Sequence, residues 1–177
     1  MKTRKTIIAA ALTFGAMTLA GQAFAAAADA NAPPPEMGFF ITSKGLGKGG
    51  DLGGIAGADA HCQSLAAAVG KGNRTWRAYL STQGPGAVNA IDRIGKGPWA
   101  NAKGVIMATN LDSLMYDNSN FNYEHILDEN GNHFSSRIDG TYDTTEHDVL
   151  TGTQLDGTAY PAGEDKTCND WTSSTTG

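Results

Sequence analysis

The chain has 177 residues, the size of one ordinary domain. Its 18 acidic residues against 13 Lys and Arg give a net charge of −5, a balance that repels phosphate backbones and argues against nucleic-acid binding. No stretch past the N-terminus reaches the ~20 apolar residues of a membrane-spanning helix, so no membrane insertion is expected.

The N-terminus carries the parts of an export signal. Met1-Lys2-Thr3-Arg4-Lys5 is basic, residues 6–20 are mostly apolar, and Ala23-Phe24-Ala25 is a small-x-small cleavage site. Residues 1–25 therefore read as a cleavable signal peptide, which makes the mature chain periplasmic or secreted. Loss of Lys2, Arg4 and Lys5 takes its net charge to −8. Gln22 stands where a lipidated cysteine would have to be, so no lipid anchor is expected. Such a surface suits calcium or neutral sugars better than polyanions. Export also permits disulfides, and two cysteines in an exported chain commonly pair.

Residues 26–37, Ala-rich and carrying Pro33-Pro34-Pro35, read as an extended tether ahead of a domain over 38–177. Residues 38–43 lean towards a first strand. The glycine-rich loop that follows lacks the spacing of a phosphate-binding Walker motif. Residues 53–70 predict one amphipathic helix, with Gly57 as N-cap, Asp59 in the first turn and Gly70 as a left-handed stop. Ala58, Cys62, Leu65, Ala66 and Val69 form its narrow apolar stripe, which turns Cys62 towards the core. Residues 75–81 alternate with period two, predicting a half-buried strand with Trp76, Ala78 and Leu80 inward. Residues 83–104 are irregular, with Trp99 as their anchor in the core. A strand over 105–108 and a short helical turn over 110–115 follow. Asn130-Gly131 predicts a hairpin with arms 123–127 and 133–138. Asp128-Glu129-Asn130-Gly131-Asn132 also imitates the start of an EF-hand loop, but His133 replaces the required glycine and Asp139 the closing Glu. Residues 149–153 predict a last strand, turned by Asp156-Gly157 and followed by a polar, acidic loop.

Three stretches combine into a familiar pattern: Gly53-Gly54-Ile55-Ala56-Gly57-Ala58-Asp59-Ala60-His61-Cys62; Thr75-Trp76-Arg77-Ala78-Tyr79-Leu80-Ser81; and Leu150-Thr151-Gly152 with Asp156-Gly157 and Cys168-Asn169-Asp170-Trp171-Thr172-Ser173. The set resembles a bacterial secreted family, often labelled lectin or left as of unknown function, with kin among leptospiral surface proteins and a C-type-lectin-like or endostatin-like fold. The resemblance implies an α+β, C-type-lectin-like domain over 38–177, with mixed or antiparallel strands, one main helix and long loops. It makes Cys62 the helix cysteine and Cys168 an inner-strand cysteine, each bridged in the family to a partner this chain lacks, so that the C-terminal strands would be missing. A direct Cys62–Cys168 bridge is the alternative.

The resemblance also implies a site. Asp156, Glu164, Asp165, Asn169 and Asp170 offer the hard oxygen donors that calcium takes and that a ligand could share, and Trp171 would stack on a sugar face; the alternative leaves these carboxylates on a solvated loop and puts Trp171 in the core. The Glu-Pro-Asn or Gln-Pro-Asp signature of calcium-dependent lectins is absent, and Asn169-Asp170-Trp171 stands in place of a Trp-Asn-Asp order. Catalysis has little to stand on. His147 and Asp148 would face opposite sides of an extended segment, His125 lies beside Glu124 with no nucleophile in view, and His125, His133 and His147 match no zinc spacing. The expectation is an exported, non-catalytic, lectin-like carbohydrate-binding protein, with calcium as candidate cofactor and a glycan or surface protein as partner. The alternative is a structural or adhesive envelope protein using the same loop face.

Overall fold

A computed structural model describes residues 32–117, 120–134, 149–163 and 165–175. The chain divides into units Met1–Ala32 and Pro33–Gly177. The signal peptide falls outside the described residues, as do the first half of the tether, His147, Asp148 and Glu164.

Helix α1 spans Gly54–Ala68 with Gly53 as its N-cap. Gly57, anticipated as the cap, lies inside the helix and donates its N–H to Gly53 O at 3.3 Å. Its glycine has a packing reason instead: a Cβ there would stand 2.0 Å from the Leu52 carbonyl oxygen. At the other end Gly70 adopts φ 77° and closes the helix as anticipated. Ala58, Leu65 and Ala66 are buried along the predicted stripe.

With the helix starting earlier, Asp59 sits beyond the first turn and serves a neighbour rather than the helix dipole. Its Oδ1 accepts the Ala78 N–H at 2.8 Å, and four residues on, Gln63 Oε1 accepts the Trp76 N–H at 3.0 Å. Four helical residues rise about 6 Å and two extended residues about 6.6 Å, so the two rungs keep register and run antiparallel. This explains the behaviour of residues 75–81. Trp76, Ala78 and Leu80 are buried as their alternation predicts, yet the segment is no β-strand, because helix side chains take the amides that a neighbouring strand would have taken.

The sheet is small. Strand β1 (Trp99–Ala100) pairs antiparallel with β2 (Ile106–Ala108), with a bulge between Trp99 and Ala100. Buried Asn101 shapes the connection by accepting the N–H groups of Lys103 and Val105 and donating to His125 O. Trp99 is buried, as anticipated. Met37 forms a parallel bridge with Ala100 and is buried, so the ordered domain begins inside the expected tether. Within the expected first strand, 38–43, the pairing is reduced to one bridge, Ile41 to Asp128. Helix α2, Leu111–Tyr116, forms where the helical turn was read, and Asn110 and Ser113 close a reciprocal capping box on it.

The Asn130-Gly131 turn is present, with the Asp128 N–H donating to Asn132 O at 2.9 Å. Its first arm, 123–127, is turn and coil rather than strand, and residues 135–138 of the second lie outside the described residues. In the expected last strand only Thr153 pairs, with Ala159 across the Asp156-Gly157 turn. The result is a small mixed α/β domain with one two-stranded antiparallel sheet among the described residues.

Two apolar clusters form the core, Ala58, Ala78, Leu80 and Trp171 in one and Met37, Ala66 and Trp76 in the other, and Cys62 packs against both. Ser81 is fully buried and ties four segments together. Its N–H donates to Thr151 O, its hydroxyl donates to Thr153 Oγ1 and accepts the Ala90 N–H, and its carbonyl accepts Trp171 Nε1.

Candidate functional site

The site implied by the sequence centres on residues 165–171, and the backbone there is unusual. Cys168, Asn169, Asp170 and Trp171 have φ of 49°, 55°, 53° and 66°, one turn of left-handed helix without a glycine. Such geometry costs roughly 1–2 kcal/mol per residue, so the surroundings must over-determine it.

They do so from three sides. Trp171 is 1% exposed, packs in the core, and donates Nε1–H to Ser81 O at 2.8 Å while its carbonyl accepts the Leu52 N–H at 2.9 Å. Asp165 accepts the Thr167 N–H at 2.7 Å on Oδ1 and the Asn169 N–H at 2.6 Å on Oδ2. Asp170 Oδ1 accepts the Gln83 N–H at 2.9 Å and the Thr167 hydroxyl at 3.3 Å. Donation first from Thr167 and then from Asn169 holds the Asp165 carboxyl below the usual carboxylate range.

This arrangement redistributes the expected roles. Trp171 has no face to offer a sugar, because its ring belongs to the core. Asn169 is exposed and donates Nδ2–H to Thr172 Oγ1 at 2.8 Å. Asp156 sits on a separate turn whose Gly157 packs on Ile91 and Tyr79. It accepts the Thr158 hydroxyl at 2.6 Å and the Thr158 N–H at 3.0 Å, which hold its carboxyl low. The Tyr79 hydroxyl is pushed up, by burial first and by Asp156 second.

Apart from Glu164, which lies outside the described residues, the donors do not gather around a calcium position. Among the described residues no three His, Cys, Asp or Glu side chains converge on a metal position, and both Asp165 oxygens already accept backbone N–H groups. Of His125, His133 and His147, the first two lie among the described residues, each with a partner. The His125 Nδ1 faces Asn122 Nδ2 at 3.3 Å, and His133 stacks on Tyr123 with ring centroids 4.7 Å apart.

Both cysteines are free thiols, so the direct Cys62–Cys168 bridge is not formed. Cys168 lies against Gly50, where a Cβ would stand 2.5 Å from its Sγ, whereas Cys62 lies between the two core clusters. Burial, and after it the Asp59 carboxylate, push the Cys62 thiol up to about 11.

Beside the left-handed turn lies an open depression of about 240 Å3 lined by Gln83, Gly84, Ala162, Gly163 and Asp165. Gln83 and Gly84 had not been singled out. Their signal was the Gly84-Pro85-Gly86 turn that ends the alternating segment and aims the chain at residue 165. Gln83 supplies its backbone N–H to Asp170, so its carboxamide is not needed for that anchor. No protein-family model matches the chain, and no curated protein matches it significantly.

Proposed function

We propose that this is an exported, non-catalytic recognition domain of C-type-lectin-like kind that binds a neutral carbohydrate in the depression between Gln83-Gly84 and Asp165. The observation that carries this reading is the rigid frame beside the depression, where Asp165 and Asp170 hold Thr167, Asn169 and Gln83 in fixed relation. Sugar hydroxyls reward preorganised carboxylate, carboxamide and backbone groups, since affinity grows as less ordering is left to the moment of binding. The fold assignment rests on the three motif stretches and on the order of helix, extended segment and closing Trp171 turn.

A glycan array probed with the chain freed of residues 1–25, with calcium and with chelator, tests the proposal. Saturable binding that survives chelation and is lost in Gln83→Ala is the expected result. Folded protein that binds no glycan, or binds equally well as Gln83→Ala, would refute it. The adhesive alternative has one observation in its favour: Val149, Leu150, Leu155 and Tyr160 are exposed in one stretch, Leu155 fully so at 99%, the kind of apolar surface that contacts proteins. Binding to a protein that persists after deglycosylation would favour that alternative.

A further inference from the structure

A second groove, of about 300 Å3, opens elsewhere on the domain, between the C-terminal end of α1 and the 128–132 turn, and none of its residues takes part in the site above. Met37, Val69 and Ala102 give it an apolar lining, and Lys71, Glu129 and Asn130 a polar one.

Its walls are pinned. The Lys71 N–H donates to Ala66 O at 2.8 Å and its carbonyl accepts Trp76 Nε1–H at 2.8 Å, while Met37 O accepts Arg74 Nη1–H at 2.8 Å. The groove is therefore formed before any ligand arrives.

Glu129 is the unusual member, a carboxylate 5% exposed. Its three hydrogen-bond donors are all neutral: the Ser43 N–H at 3.0 Å, the Ser43 hydroxyl, and Asn130 Nδ2–H at 3.2 Å. Among the described residues the ion pairs belong to Asp59, so no lysine or arginine neutralises Glu129, although Lys71 lines the same groove. A buried carboxylate without a counter-charge is costly and gains most from a cation. The end of α1 adds the negative pole of its dipole on the same side.

We propose that this groove binds a small organic cation, a primary alkylammonium whose charge pairs with Glu129 while its short chain lies on Met37, Val69 and Ala102. Lys71 lines the same groove with a charge of the same sign as the ligand. Its removal therefore tightens binding.

The test is titration of the full chain with n-butylammonium, read by NMR at the backbone amides of Val69, Lys71, Ala102 and Asn130, with n-butanol as the neutral twin. The amides shift saturably with the amine and not with the alcohol. Glu129→Gln, which still accepts the Ser43 N–H, weakens binding about tenfold or more, as loss of a charged partner does. Lys71→Met tightens it about threefold, and salt weakens it. Equal shifts with n-butanol, or unchanged affinity in Glu129→Gln, would overturn the proposal. Should Glu129→Gln fail to fold by near-UV dichroism, Lys71→Met decides alone: tighter binding supports the site and unchanged binding overturns it. Glycan binding plays no part in either outcome.

Discussion

Removing Asp59 should cost the domain a large share of its stability. The Asp59 carboxylate receives both Arg93 Nη2 contacts, at 2.9 and 2.7 Å, and the Ala78 N–H at 2.8 Å. The Arg93 side chain is only 7% exposed and that of Asp59 21%. Asp59→Ala strands a guanidinium in the interior, a change that costs 3–5 kcal/mol for a fully buried pair and about 2–4 kcal/mol here, since a fifth of the carboxylate is wet. The orphaned Ala78 N–H adds about 1 kcal/mol. At about 3 °C per kcal/mol for a domain of this size, the melting temperature falls by roughly 9–15 °C. Arg77 also faces Asp59, but at 3.6 Å and 51% exposed, so Arg77→Ala costs at most about 0.5 kcal/mol. Urea and thermal melts of the two variants, followed by near-UV dichroism, decide the matter. If Asp59→Ala came within about 1 kcal/mol of Arg77→Ala, the claim that Arg93 depends on this partner would be wrong.

Gly57→Ala forces a methyl group 2.0 Å from the Leu52 carbonyl oxygen and lowers stability by about 2–3 kcal/mol. Gly70→Ala meets open space at φ 77° and costs only about 1 kcal/mol; the reverse order in urea melts would sink this account. In the left-handed turn, Asn169→Gly holds or raises the melting temperature while Asn169→Ala lowers it by several degrees, because only the former relieves the backbone. The Cys62 thiol keeps its proton in the folded state until about pH 11, against 9.0 for a solvated thiol. The unfolded chain therefore binds fewer protons in that interval, stability falls as pH rises through it, and Cys62→Ser removes the thiol's share of the fall, leaving that of Tyr79, whose hydroxyl is also pushed up. Maleimide labelling of Cys62 should climb over the same range, and fast labelling at neutral pH would contradict it.

The parts of the fold legible in the sequence were those governed by local chemistry. The stop at Gly70, the stripe through Ala58, Leu65 and Ala66, the helical turn over 110–115 and the Asn130-Gly131 turn each depend on a few neighbouring residues. Burial along residues 75–81 was legible too, but its hydrogen bonding was not. Period two specifies which side chains face inward and says nothing about what accepts the amides, and no local signal announces that Asp59 and Gln63 will do so. The start of α1 was misplaced because Gly57 serves as well for a cap as for close passage of Leu52, a tertiary fact. The candidate site was legible by position and not by role. Stacking ring and core residue were both open for Trp171, because an indole suits either, and the partner that decides the matter, Ser81, is remote in sequence.

The two rungs that Asp59 and Gln63 lend to Trp76 and Ala78 bear on how the domain breathes. In an ordinary sheet an amide is released when its neighbouring strand peels away, one residue at a time from the edge. Here the acceptors are side chains on successive turns of α1, so the Trp76 and Ala78 amides meet solvent when the helix itself rotates or melts. Helix and extended segment then exchange their protons as a single cooperative block, although almost no backbone hydrogen bond joins the two.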